Sequence, residues 1–369
     1  MKICISVLAN IGEESGASLR AKYVYNFLKN DGYDACLLAP SNSKSQLLAA
    51  SKLPVFAKKL LFPAYLLKWK LKMFKEFAGN KYDLLFSIGD FRGFPAVYRL
   101  SKIFRFKILF EAQAILSEEV KNLGRSEKQI KKAEKLELFC IKNADFPAAV
   151  SENICEFYEK INPRTKLISV CNFDTNLFRN NPAIKNKIRE RYGIKDGEKL
   201  IGVVGPFGLD YNRYVLEFLY KNISSFKNQI KFLVIGQCDN KIDSKRIIYT
   251  GYLDSRENYA EHIIGLDALI VPSKIATSGP LTKILEAMSC SLPVFITPAA
   301  AIGLSNFKHS QNLFIFEEEK FAGGINKLIF DDDKTKQVGE AARKTVEKFY
   351  DAPAKASLRA LLAKIKNGL

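Results

Sequence analysis

A lysine and a glutamate three residues apart, Lys283 and Glu286, stand early in a short apolar helix that opens on Ser278-Gly279-Pro280. Leu269 to Val271 reads as a strand stopped by Pro272, the helix runs from about Pro280 to Ser289, and Pro293 starts a second strand, VFIT. Strand, loop, helix and strand in this order form the repeating unit of a parallel sheet. A proline at the first helical position costs little, because its missing N–H has no partner there anyway. The N–H groups of Gly279, Leu281 and Thr282 can point at an anion, and Lys283 can reach the same anion. Glu286 follows at i+3 on a neighbouring part of the face. Donors, a cation and a carboxylate in this arrangement suit a pyrophosphate joined to a ribose.

The run Lys283-Ile284-Leu285-Glu286-Ala287-Met288, followed by Leu292-Pro293-Val294 and Gly303-Leu304, resembles the nucleotide-sugar site of glycosyltransferase family 4. That resemblance implies an α/β chain of GT-B architecture, two Rossmann-like domains facing across a cleft. It implies that Glu286 holds the donor ribose and that Ser278, Gly279, Thr282 and Lys283 line the donor site. Most members carry an E-x7-E pattern whose first glutamate meets the donor sugar; here that position is Ser278.

The elements that must position these residues need a long chain, and 369 residues with 47% apolar content are enough for two domain cores. Seven scattered cysteines, with no C-x-x-C, argue for a reducing compartment and against a metal cluster. Only His262 and His309 are present, so a histidine-rich metal site is excluded, and neither a metal nor a cofactor is expected. No apolar run is long enough to span a membrane, and the opening strand is too short for a signal peptide. The formal charge of +18 asks for an anionic partner. No helix-turn-helix, zinc finger or aromatic RNA-binding signature is present, which argues against nucleic acid.

Residues 51–80 point instead to a membrane surface. They carry Lys52, Lys58, Lys59, Lys68, Lys70, Lys72 and Lys75 against Glu76 alone. Projected as a helix after Pro63, Leu66, Leu67, Leu71, Met73, Phe74 and Phe77 gather on one side, with Trp69 at the edge and Lys70 intruding on the apolar arc; Lys68, Lys72, Lys75 and Glu76 gather on the other. Such a basic amphipathic helix can lie among anionic headgroups, with Trp69 and Phe74 as its anchors, or pack on a sheet through its apolar face.

Lys2 to Ala9 reads as the first strand, and the loop after it carries Gly12 and Gly16 without a dinucleotide fingerprint. By resemblance Gly16 and Arg20 lie near the acceptor and the donor phosphates, while Gly16 also reads as a plain turn. Family members often place a histidine near the sugar after the strand at 106–110; Gln113 occupies that zone and can hydrogen-bond a hydroxyl but cannot act as a base. Asn172-Phe173-Asp174 resembles the family's interdomain segment, with Asp174 as a cap, and residues 179–198 read as a linker. Leu200 to Val204 opens the second α/β unit. Its first loop, at Gly205, lacks the basic pair that many members present to the diphosphate, and Arg213 is the nearest substitute. His262 reads as structural, and Pro353 as an interruption before a last helix.

The expectation is therefore a domain over 1–178 completed by 351–369, on the acceptor side, and a donor domain over 199–350. With Lys283, Glu286 and Gln113 as catalytic candidates, the resemblance implies a retaining, metal-independent transferase. It would move a sugar from a nucleotide-diphospho-sugar to a glycan or lipid-linked acceptor in cell-envelope polysaccharide or glycoconjugate assembly. The basic segment places it in the cytoplasm against anionic inner-leaflet lipids. The alternatives are a catalytically silent nucleotide- or partner-binding scaffold and a sugar-nucleotide epimerase.

Overall fold

A computed structural model describes residues 1–9, 16–40, 55–168, 173–207 and 210–368. The expected loop at 10–15 with Gly12, the Lys52 end of the basic segment, and Cys171 and Asn172 lie outside the described residues.

Strands and helices alternate in order: β1 (Lys2–Ser6), α1 (Gly16–Asn30), β2 (Asp34–Leu38), α2 (Val55–Gly79), β3 (Leu84–Ile88), α3 (Phe94–Phe104), β4 (Lys107–Ala112), α4 (Leu116–Asn122), α5 (Glu127–Asn143), β5 (Phe146–Ala149), α6 (Glu152–Glu159) and β6 (Lys166–Leu167). There follow α7 (Pro182–Arg191), β7 (Lys199–Val204), α8 (Asp210–Asn222), β8 (Ile230–Ile235), β9 (Ile247–Gly251), α9 (Arg256–Ile264), β10 (Ala268–Val271), α10 (Thr282–Ser289), β11 (Val294–Ile296), β12 (Phe314–Ile315), α11 (Glu318–Leu328), α12 (Asp332–Val346) and α13 (Ala352–Asn367). The chain divides into two units, Met1–Phe173 with Ala354–Leu369, and Asp174–Pro353.

The first unit holds a six-stranded sheet of order β2-β1-β3-β4-β5-β6, parallel throughout. All five residues of β3 are buried, as a parallel strand covered on both faces requires. One face packs under α2, α3, α5 and α6 through Trp69, Phe94, Phe110, Ile141 and Tyr158. The other packs under α1 and α13 through Val24, Phe86, Leu109, Leu358 and Leu362. Leu358, Leu361, Leu362 and Ile365 recur at helical spacing, and this stripe seats α13 on the first sheet.

Helix α2 departs from its expected form in two ways. It starts at Val55 and runs on through Pro63, although a proline inside a helix removes one backbone hydrogen bond. Its buried stripe is Trp69, Met73 and Phe77, at i, i+4 and i+8, so Trp69 is a core residue and not a surface anchor. The ring lies over Gly93, where an added Cβ would stand 2.7 Å from it. Leu67, Leu71 and Phe74 are left exposed. Lys72 turns back to donate to the Ala39 carbonyl at 2.7 Å.

The second unit holds another parallel six-stranded sheet, of order β12-β11-β10-β7-β8-β9. Residues 179–198 are not a free linker. Pro182–Arg191 within them form α7, capped by the Asn181 side chain, which accepts from Ala183 N and Ile184 N. Ile188 is fully buried against Gly265, and Lys185 and Arg189 both pair with Asp267 at 2.7 and 2.8 Å. Asp174 is exposed and stiffens the turn before α7 by accepting from Asn176 N at 2.9 Å. Pro353 does not interrupt the helix as expected: α12 runs through a π turn at Glu347–Asp351 directly into α13, which contains it.

His262 locks α9 to the end of α7. Its Nδ1 meets the Asn258 carbonyl at 2.7 Å, so that nitrogen carries the proton, and Nε2 accepts from the Tyr192 hydroxyl at 2.8 Å. Burial, the largest influence, lowers its pKa from the ordinary 6.5. A folded pKa below the unfolded one means that the unfolded chain takes up the proton first as pH falls. Stability is therefore fully present above about pH 6.5 and is lost on acidification, at up to about 1.4 kcal/mol per pH unit. Thermal denaturation from neutral to mildly acidic pH should show a falling midpoint whose slope flattens in His262→Gln. An unchanged slope in that variant would remove His262 as the cause.

Candidate functional site

The strand order of the second sheet reverses between β7 and β10, and ligands of open α/β sheets bind beyond the carboxyl ends of the strands at such a point. Val204 ends β7, Val271 ends β10, and α10 starts at Thr282 with Leu281 as its cap residue. The helix therefore begins two residues later than the sequence pattern implies, and Pro280 lies before it rather than in its first turn. Leu281 offers no side-chain cap, and its carbonyl accepts from Ile284 N at 3.0 Å.

Lys283 lies in that first turn. Its Nζ donates to the Val204 carbonyl at 2.7 Å and to Asn212 Oδ1 at 2.5 Å, bridging the end of β7 to α8. The residue as a whole is half-buried, with its ammonium as the enclosed end. Burial pushes its pKa down to about 7, against the upward pull of Glu286. The amine is thus poised between its charged and neutral forms at neutral pH.

Two glycines permit this crowding. Gly236 has φ +123, and a Cβ there would stand 2.3 Å from the Gly205 carbonyl oxygen. Gly303 has φ +84, and a Cβ there would stand 2.8 Å from the Gly279–Pro280 peptide. The loop after β10 is tied further by Thr297, whose Oγ1 accepts from Ser273 N at 2.9 Å and donates to Ser273 O at 2.5 Å. Ser278, expected at the donor sugar, is 3% exposed in this loop.

Glu286 is 2% exposed, and both its oxygens are engaged. Arg256 Nη2 donates to Oε1, and the Tyr259 hydroxyl donates to Oε2 at 2.7 Å. The Arg256 guanidinium is held between the rings of Phe178 and Tyr259, at 4.8 and 4.7 Å. The carboxylate is thus oriented by α9, and its charge is offset by Arg256, so it does not cancel the positive end of α10.

The residues expected around this point are not all brought together. Lys283, Gly205, Gly279 and Thr282 gather at the carboxyl edge of β7 and β10, with Glu286 one turn deeper. Arg213 is exposed on α8; its neighbour Asn212, 1% exposed, is the residue that meets Lys283. Asn212 was not legible from a motif; its place in the first turn after the Gly205 loop is the one hint. Gly16 and Gln113 belong to the first unit. Gly16 is exposed at the start of α1. Gln113 follows β4 and donates to Glu111 Oε1 at 3.3 Å, with its amide against Gly89. Arg20, expected near the phosphates, is fully buried: its Nε and Nη2 reach the Glu111 carboxylate at 3.0 and 2.6 Å. Among the described residues no three His, Cys, Asp or Glu side chains gather as a metal site would need.

Residues 198–331, the part of the second unit that carries this arrangement, match the family model described as glycosyl transferases group 1. The whole chain has the GT-B fold of solved structures at low identity. Sucrose-phosphate synthase from Thermosynechococcus elongatus is similar at 16% identity and TM-score 0.79, covering 100% of this chain and 99% of that one. Anabaena HepE in complex with UDP-glucose is similar at 19% identity and TM-score 0.72, covering 98% and 100%. A glycosyltransferase from Rickettsia africae is similar at 17% identity and TM-score 0.71, covering 99% and 98%. Among curated proteins, none matches the chain.

Proposed function

We propose that this chain is a glycosyltransferase that takes its sugar from a nucleotide-diphospho-sugar bound at the carboxyl edge of β7 and β10. The observation that carries the reading is Lys283, an enclosed ammonium in the first turn of a helix at the strand-order reversal. A leaving diphosphate gains charge as the glycosidic bond breaks, and a preorganised cation at a helix N-terminus opposes that charge where it develops. Asn212 and the Val204 carbonyl hold the ammonium at the sheet edge. Glu286, which the resemblance at 283–304 assigns to the donor ribose, is enclosed and held by Arg256 and Tyr259, so contact with a ribose would require one of these partners to give way. Retention of configuration, independence of metal and a glycan or lipid-linked acceptor belong to the same proposal and rest on the resemblance at 283–304. UDP-glucose in the HepE structure makes UDP-sugars the first donors to try.

A silent nucleotide-binding scaffold is the second reading, favoured by the buried Ser278 in place of the family's sugar-binding glutamate. Release of nucleoside diphosphate from UDP-, GDP- and ADP-sugars by the purified chain, with products followed by mass spectrometry, separates the two. Transfer or release with any donor supports the enzyme; binding without release from every donor supports the scaffold.

A further inference from the structure

From the α2–α3 surface of the first unit we infer a docking site for an anionic lipid bilayer, independent of the sugar-transfer reading. Leu67, Leu71 and Phe74 are 57%, 55% and 48% exposed, and Ile103 at the end of α3 is 62% exposed. The three α2 residues recur at i, i+4 and i+7, and at helical spacing they point roughly 125° away from the buried stripe of Trp69, Met73 and Phe77. A surface helix ordinarily turns polar residues outward on that side. The Phe74 ring meets Phe104 at 5.5 Å, so the end of α3 adjoins the apolar ridge of α2.

Cations flank the ridge. Lys68, Lys70 and Lys75 on α2, Lys102 on α3 and Arg105 just beyond it are all exposed. The acid on α2, Glu76, is occupied by the Tyr82 hydroxyl at 2.6 Å and the Asn80 amide at 3.0 Å. An apolar ridge bordered by flexible cations fits acyl chains below and anionic headgroups around them. A second copy fits poorly, because a symmetric pairing would set these cations against one another on a chain of net charge +18. Among the described residues no helix is long and apolar enough to cross a membrane, so the contact would be peripheral.

Flotation of the full chain with vesicles of phosphatidylcholine alone, or mixed with phosphatidylglycerol, tests this. Strong recovery with the anionic vesicles and little with the neutral ones is expected. Leu67→Gln/Leu71→Gln/Phe74→Gln alters only exposed positions and should lower partitioning at least about tenfold. Lys68→Gln/Lys70→Gln/Lys75→Gln should lower it on the order of a hundredfold. Lys131→Gln/Lys132→Gln/Lys135→Gln, an equal loss of exposed charge on α5, should leave most binding intact. No recovery with anionic vesicles, an apolar-ridge variant that binds like wild type, or an α5 variant as impaired as the α2 one would overturn the inference. So would a vesicle-free dimer in light scattering that the ridge variant abolishes.

Discussion

Glu111→Ala lowers the unfolding free energy of the first unit by about 3–5 kcal/mol, the cost of stranding a buried charge. Arg20 and Glu111 are 0% exposed, lie 91 residues apart in sequence and meet in a two-point contact. Removing the carboxylate leaves the guanidinium enclosed without its counter-charge. The same loss is expected from Arg20→Ala. Replacing both together by Arg20→Met/Glu111→Leu should recover much of it, because desolvation of an ion pair offsets most of its attraction. Urea denaturation followed by the fluorescence of Trp69, the single tryptophan and a core residue of this unit, reads the effect directly. Single variants within about 1 kcal/mol of wild type would show that the pair is hydrated in solution.

Lys283→Ala reduces turnover by about 10²–10³-fold, the usual cost of one preorganised group that stabilises developing charge. The loss should fall on kcat more than on KM, because charge on the diphosphate grows as the bond breaks. Lys283→Arg should not rescue it: the ammonium fits between one carbonyl and one amide oxygen, and a planar guanidinium does not. Asn212→Ala should act in the same direction by a smaller factor, since it removes one of two acceptors. A Lys283→Ala enzyme with wild-type kcat would detach this lysine from the chemistry. Steady-state kinetics with the donor that gives turnover supply the numbers.

Much of this architecture is readable from local pattern, because parallel strands buried on both faces are short apolar runs and each helix carries its own stripe. Lys283 and Glu286 stand out for the same reason: their spacing within one helix is a local property. Their partners are not local. Arg256 and Tyr259 reach Glu286 from 30 and 27 residues away, and Asn212 reaches Lys283 from 71. Nothing in the first helix marks Arg20 as buried; only the fold brings Glu111 to it. Trp69 misleads because α2 is apolar on two sides, and the side that faces the sheet is decided by Gly93 leaving room for its ring. Pro280 misplaces the start of α10 by two residues, because proline suits both the first turn and the residues before it.

The central claim is that the enclosed ammonium of Lys283 receives a diphosphate, and titration calorimetry with UDP, GDP and ADP tests it most directly. A diphosphate raises the pKa of the lysine it binds, so binding takes up a proton when the free amine, at about 7, is already partly neutral. At least one nucleoside diphosphate should bind near pH 7, and its affinity should fall by up to about tenfold per pH unit as pH rises above that value. Lys283→Ala should bind more weakly and lose this pH dependence. Absence of binding by all three, or binding of equal strength in wild type and Lys283→Ala across that range, would contradict the account.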